Sequence, residues 1–489
     1  MQLIYEKSRD GRRAISVGEL DVPQAELPRE VCRENPAPLP EVSEFDVVRH
    51  FTALSDRNFG LDAHFYPLGS CTMKYNPKLA EAVAALPGFA GLHPHLSTSE
   101  AGWAACQGAL ELIYETERWL AEIAGMRECS LQPIAGAHGE LAGTLLIAAY
   151  HRAKGNKKTK IIVPDSAHGT NPASAAIAGY EIVEIKSNSR GVVDLANYRA
   201  ALADDTAGIM LTCPNTHGLF EPEIHEIARL AHKVDALLYY DGANLNAILG
   251  ECRPGDLGFD VMHYNLHKTF ATPHGMGGPG SGPVGVSERL VPFLPGPRVI
   301  KRGGAFALEI PPQSIGKMAP FFGNFGMAVR AYAYMRHLGS EGLKQVSHAA
   351  VLNANYIHAR LKDEYESAFD GRFMHECVFD ATPQAKKGTR AMDIAKALLD
   401  YGYHAPTVYF PLTVHESIMI EPTETESKET MDGFCDAMLE IAARIEAEGN
   451  PYKDAPVTTP VGRLDEVKAA RELNCAYLET PRETASAQT

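Results

Sequence analysis

The 489-residue chain contains no Cys-x-x-Cys pair; its nine cysteines (Cys32, Cys71, Cys106, Cys129, Cys213, Cys252, Cys377, Cys435 and Cys475) are scattered and odd in number. That argues against zinc-ribbon and thioredoxin-like sites, leaves no metal-ligand spacing to follow, and fits a reducing compartment better than a disulfide framework. No run of about twenty apolar residues occurs, so no membrane span is expected. Met1–Lys7 lacks a basic stretch leading into an apolar core, and a cytoplasmic location is the expectation. Basic residues are short as well: 46 Lys+Arg stand against 61 Asp+Glu, a net charge of −15, which speaks against bulk nucleic-acid binding. A G-x-x-x-x-G-K-[ST] sequence is missing, which weighs against nucleotide hydrolysis. No internal repeat or low-complexity tract appears, and the polar end from Glu479 to Thr489 reads as frayed.

What remains is globular. Hydrophobic residues at 45% and charged residues at 22% are the make-up of a chain with a full core, and its length suits about two or three domains. Pro23, Pro28, Pro36, Pro38 and Pro40 keep long helices out of the start, so the first sixty or so residues read as irregular. Apolar periodicity predicts a helix over Ser99–Ala124, capped by Ser97 or Thr98, and another over Gly139–Arg152. Short apolar strands then alternate with helices. The strands are Lys160–Pro164, Glu181–Ile185, Gly208–Thr212 and Ala236–Tyr240; the helices are Ala173–Ala178, Leu195–Ala203 and Ile224–Lys233. This is the signature of βαβ units and a mostly parallel sheet covered on both faces, with its ligand site beyond the carboxyl ends of the strands. A second long helical region runs from Phe325 to about Ala359, interrupted near Gly339–Gly342. Strands at Met374–Phe379 and Val408–Phe410 and helices at Ala391–Leu399 and Met431–Glu448 form a smaller α/β domain. The expected division is an arm with a covering segment over 1–90, a large domain over 91–339 and a small one over 340–489.

The strongest chemical signal is Asp241, at the end of a buried strand, followed by Asn265-Leu266-His267-Lys268-Thr269-Phe270 and the glycine-rich Pro273–Gly280. A lysine held there with its amine free can form a Schiff base with a carbonyl compound. A carboxylate facing a protonated pyridine nitrogen is what pyridoxal phosphate needs at its other end. Singly, such a lysine is ordinarily a solvated loop residue and such an aspartate a turn or cap; the ordered pair on a parallel-sheet pattern is what gives them weight. Gly136-Ala137-His138-Gly139, before a helix, resembles a phosphate cradle, although a Gly/Ala turn is more often a plain helix entry. His168, after a strand, is placed to stack on a flat ring or assist proton transfer. Phe65–Pro77 reads as a packed loop over a pocket, with Cys71 and Lys74 weak candidates by position. Gly280–Gly285 fits G-x-G-x-x-G in letters, but no predicted strand leads into it.

Taken together, Phe65–Pro77, Ser130–Gly143, Asp165–Ala173, Tyr240–Asn246, His263–Val286, Phe322–Gly326, Asn353–Tyr356 and Ile420–Glu424 resemble the pyridoxal-phosphate-bearing half of glycine dehydrogenase (decarboxylating), the P-protein family of the glycine cleavage system. In some bacteria that half is a separate polypeptide, subunit 2. The resemblance implies the aminotransferase-like fold (fold type I) and pyridoxal 5'-phosphate linked to Lys268. It implies Asp241 at the pyridine nitrogen, His168 and Ala243 on opposite ring faces, Gly136–Gly139 at the phosphate with His267 assisting, and Asn244 near ring or substrate. Met276 departs from an expected run of four glycines. The implied activity is decarboxylation of glycine with transfer of the aminomethyl remainder to the lipoyl arm of H-protein, alongside subunit 1 in an α2β2 assembly. The lysine and aspartate alone equally suit an aminotransferase, another amino-acid decarboxylase or a cysteine desulfurase, and a non-catalytic subunit is the reading from a different class.

Overall fold

The computed structural model describes residues 2–35, 37–99, 102–274 and 280–475. Met276 and the segment from Glu479 onward therefore lie outside the described residues. Two compact units divide at Ala63 and His64. In the first, the proline-punctuated stretch holds only short 3-10 turns, but a helix over Glu44–Ser55 follows, which the reading of sixty irregular residues missed. Its start is set by a capping box in which Ser43 and Asp46 each satisfy the other's backbone amide. The last proline of the run is Pro40, so nothing obstructs a helix beyond it.

The second unit is built on a seven-stranded sheet: β1 (Glu128–Ser130), β2 (Lys160–Pro164), β3 (Glu181–Ile185), β4 (Thr206–Thr212), β5 (Leu237–Gly242), β6 (Val261–Tyr264) and β7 (Val284–Val286), in the order β1-β7-β6-β5-β4-β2-β3. Pairing is parallel from β3 through β6, whereas β7 runs antiparallel to both β6 and β1. The predicted mostly parallel sheet is thus the one observed. Successive residues of β4 and β5 enter opposite cores: Ile209, Leu211, Leu238 and Tyr240 pack toward the helices Trp103–Ala124 and Ile224–Lys233. Met210, Leu237 and Tyr239 pack with Leu146 and Ile147 of the helix Gly136–Lys154. Both faces being covered, the strands read as continuous apolar runs. β6 and β7 escaped notice because each is short and flanked by polar or glycine-rich loops.

Boundaries differ by a turn in places. The helix expected from Ser99 begins at Trp103, and Ser97 and Thr98 lie in a 3-10 turn rather than at its cap; Ser99 instead accepts from the Gly102 amide. The helix expected from Gly139 begins at Gly136. In the helical stretch Phe325–Leu361 the expected interruption is Gly339, at φ 61° and ψ −174°. A hairpin follows β7, with β8 (Arg298–Arg302) and β9 (Ala305–Glu309). A second, antiparallel sheet then carries β10 (Glu366–Ser367), β11 (Cys377–Asp380), β12 (Thr407–Val408) and β13 (Ser417–Ile420) in the order β10-β11-β13-β12. Phe379, Ile418 and Ile420 bury against Phe434 and Met438 of the helix Lys428–Glu448.

The loop Phe65–Pro77 threads along this second sheet. Phe65 lies in its core, and Leu68 bridges to Ile420. Lys74 is fully buried, its ammonium 2.7 Å from Glu424 and donating to Tyr334 and Asn246. Burial opposes that charge, but Glu424 beside it wins and holds the Lys74 pKa above the ordinary value. Lys74 is therefore a structural clip. Lys74→Ala leaves Glu424 buried without a counter-charge, and it is expected to cost about 3–5 kcal/mol in denaturant unfolding. A Lys74→Met/Glu424→Gln pair should recover most of it; a loss below about 1 kcal/mol for the single variant contradicts the clip.

Candidate active site

A cavity of about 230 Å³ opens at the carboxyl ends of β2, β4, β5 and β6, where a parallel sheet places its ligands. Asp241 is the penultimate residue of β5, and His168 follows β2. Asn265, His267 and Lys268 follow β6, and Ala243 and Asn244 follow β5; all of these line the cavity. Gly136 and Ala137 line it too, as the first residues of the helix Gly136–Lys154, so the cradle is the helix's opening turn rather than a loop before it. The first three amides of such a turn have no acceptor within the helix and point at an anion. His138 and Gly139 are not among the lining residues. His138 Nδ1 accepts from the Ile134 amide, and a Cβ at Gly139 would lie 2.5 Å from the Gly282 carbonyl oxygen. A Cβ at Gly136 would lie 2.7 Å from Asn265 Oδ1, so glycine lets the helix start close over that side chain. Gly280–Gly285 runs into β7 rather than into a helix and is no dinucleotide fingerprint.

Lys268 is the only lysine or arginine among the described residues lining the cavity, and its Nζ donates to the Ser70 carbonyl at 2.7 Å. Ser70 also lines the cavity, so the loop Phe65–Pro77 borders it. Asp241 is buried, accepts from the Ala243 amide, and lies 3.5 Å from His263 Nε2. Tyr239 sits 2.6 Å from His263 Nδ1. With the tyrosine donating, the imidazole proton lies on Nε2, facing the carboxylate. Burial, against the pull of Asp241, brings His263 down to about 4, so it stays neutral. His267 is brought down to about 3 by burial and then by His274 and Lys268; burial also lowers His168. The imidazoles here are neutral dipoles at neutral pH.

Several lining residues gave no signal in the sequence. Glu140, one turn into the helix, accepts from the Thr170 hydroxyl, which also lies 2.9 Å from His168 Nδ1. Burial, then the charge of Asp241, push Glu140 up to about 8. His375 and Glu376 enter from just before β11; Glu421, just past β13, does not line the cavity but lies against Glu376. Asn244 donates to Glu421 at 2.7 Å and so is engaged with protein. Cys71 is half-buried; burial pushes its thiol up, against the pull of Lys268. Two lining residues, Thr212 and Asn265, carry buried oxygens with no hydrogen-bond partner among the described residues. Orphan acceptors, a helix N-terminus, an amine and a buried carboxylate around one cavity fit a flat, phosphorylated, aldehyde-bearing heterocycle.

Residues 137–301 match the family model described as aminotransferase class-V, and residues 346–457 the one described as glycine dehydrogenase, C-terminal domain. The chain is 55% identical over 484 residues, 98% of each chain, to the probable glycine dehydrogenase (decarboxylating) subunit 2 of Bacillus velezensis. It is 57% identical over 476 residues, 96% of each chain, to that of Exiguobacterium sibiricum. Among solved structures it is similar to a glycine decarboxylase (P-protein) of the glycine cleavage system in inhibitor-bound form, with TM-score 0.70, 22% identity, and coverage of 85% of this chain and 93% of that one. A cysteine desulfurase from Escherichia coli follows at TM-score 0.60 and 16% identity, covering 78% and 96%. At those identities the two structures bear on the fold, which is that of aminotransferase class-V proteins.

Because the folded chain holds the Glu140 proton far above the unfolded carboxyl value, Glu140 contributes stability below about pH 4.5 that is lost as pH rises through about 8. Glu140→Gln removes that dependence. Denaturant midpoints at about pH 5 and about pH 9 should fall more for the wild type than for the variant; equal falls contradict the assignment.

Proposed function

The chain belongs to the family of glycine dehydrogenase (decarboxylating) subunit 2, and we propose that it carries pyridoxal 5'-phosphate on Lys268, decarboxylates glycine, and passes the aminomethyl remainder to a lipoyl disulfide. The observation that carries this reading is the joint placement of Lys268, Asp241 and the Gly136–Ala137 helix start around one cavity. Bound there, the cofactor supplies an electron-withdrawing ring that accepts the electron pair left when carbon dioxide departs.

The residues divide the work by charge. Lys268 provides the amine for covalent attachment. Asp241 places a negative charge where the pyridine nitrogen belongs, and His263 Nε2 lies 3.5 Å from its carboxyl group without a hydrogen-bond partner among the described residues. The amides at Gly136 and Ala137 suit a phosphate, with His267 beside them as a neutral donor. His168 and Ala243 are assigned to the two ring faces, a bulky imidazole against a small methyl group. Glu140 holds a proton near neutral pH, linked through Thr170 to His168, and is suited to hold or move one in the cavity.

The proposed partners are subunit 1, in an α2β2 assembly, and a lipoyl-bearing H-protein whose arm enters past the loop Phe65–Pro77. No helix among the described residues is long and apolar enough to cross a membrane. The division into an arm, a large domain and a small domain follows the same reading.

Exchange of glycine's carboxyl group with bicarbonate, measured with and without subunit 1 and lipoyl protein, tests the activity. Lys268→Ala is expected to abolish exchange while leaving the unfolding midpoint close to wild type; undiminished exchange defeats the assignment. Asp241→Asn should retain cofactor but lose most of the rate, on the order of a hundredfold or more, since the ring loses its negative partner; a near-wild-type rate rejects that role. Keto-acid formation without lipoyl protein would mark an aminotransferase instead.

A further inference from the structure

Two buried glutamates come from the second sheet, Glu376 lining the cavity and Glu421 beside it. Glu376 begins from the residue before β11, and Glu421 follows β13. One oxygen of each and a nitrogen of His375 lie within 4.8 Å of one another. Both carboxyls are fully buried, where two negative charges at that separation repel strongly. The acceptor pattern separates them. Glu421 takes hydrogen bonds from the Thr72 amide (3.0 Å), the Thr72 hydroxyl (2.7 Å) and the Asn244 amide group (2.7 Å), all of which favour a carboxylate. Glu376 takes only the Ser70 amide, at 2.7 Å. The proton therefore belongs on Glu376, and burial followed by the charge of Glu421 pushes Glu376 well above the carboxylate range. The other titratable groups facing the pair are His375, kept neutral by burial at about 3, Cys71, whose thiol burial pushes up, and Lys268.

What these carboxyls hold is an unusual piece of backbone. Ser70 and Thr72 have φ of 64° and 49°, left-handed conformations that cost a non-glycine residue about 1 kcal/mol or more, and a β-branched threonine most of all. Each strained residue has its amide gripped by one of the two glutamates. Between them the chain turns so that the Ser70 carbonyl meets Lys268 Nζ at 2.7 Å. We propose that Glu376 and Glu421 are positioning residues that share one proton and clamp Ser70–Thr72, thereby fixing where the Lys268 amine rests. The clamp deepens the proposed role of Lys268 and takes that role as its starting point. As the pH rises the pair loses its shared proton, the two charges repel, and the loop loosens.

The test uses the full-length chain without cofactor, so its outcome is independent of what Lys268 binds. In infrared difference spectra, Glu376→Gln should lose a deuteration-sensitive carboxylic C=O component distinct from the one that Glu140→Gln removes, and Glu421→Gln, which removes the neighbouring charge but not the burial, should move the titration of that component to lower pH. Amide hydrogen exchange over residues 65–77, corrected for intrinsic rates, should be near wild type in Glu376→Gln, whose amide oxygen still accepts from Ser70. It should be about tenfold faster or more in Glu376→Ala and in Glu421→Gln, which lose acceptors for buried donors. On raising the pH, the wild-type loop should loosen and the Glu376→Gln loop should not. No carboxylic component lost in Glu376→Gln, or a titration of it that Glu421→Gln leaves unmoved, overturns the shared proton, and equal protection in Glu376→Gln and Glu376→Ala overturns the clamp.

Discussion

The site depends on the adjacency of two parallel strands. β5 carries Asp241 as its penultimate residue and β6 runs into the turn bearing Lys268, and their register pairs Asp241 with His263. One neighbouring pair therefore brings an acid and an amine to the same edge of the sheet, with a neutral histidine against the acid. The surrounding imidazoles, burial having removed their charge, leave the cavity's polarity to those two groups, to the Glu376–Glu421 pair and to the helix start at Gly136. A cavity arranged this way separates a negative end from an amine end, as a ring that must be protonated at one side and covalently tethered at the other requires.

The second sheet completes the site from a distance in sequence. Its loop Phe65–Pro77 and the strands β11 and β13 bring Ser70, Glu376 and Glu421 against the Lys268 side of the cavity. Lys74 and Glu424 fasten the same loop a few residues on. The chemistry set by the first sheet is thus held in place by contacts spanning some three hundred residues of chain, for example |i−j| of 306 between Ser70 and Glu376.

Much of this is legible in the sequence. Strand–helix alternation from Lys160 to Tyr240 carries a strong periodic signal, so β2 and β3 appeared with the boundaries observed and β4 and β5 within two residues. Asp241 and Lys268 stood out because each sits at a strand-to-loop transition, where sheet enzymes keep their reactive groups. Glu140 did not, since a glutamate one turn into a helix looks like any solvated position until the sheet closes over it. Glu376 and Glu421 escaped for a related reason: their partners are backbone amides of a distant, left-handed loop, and neither that conformation nor that pairing leaves a local pattern. β6 and β7 were too short for periodicity to register.

The measurement that bears most directly on the account is the identity of the residue tethering the cofactor. Reducing the pyridoxal-phosphate-loaded protein with borohydride and mapping the labelled peptide should place the modification on Lys268. A label on any other lysine, Lys74 included, or none at all, contradicts it.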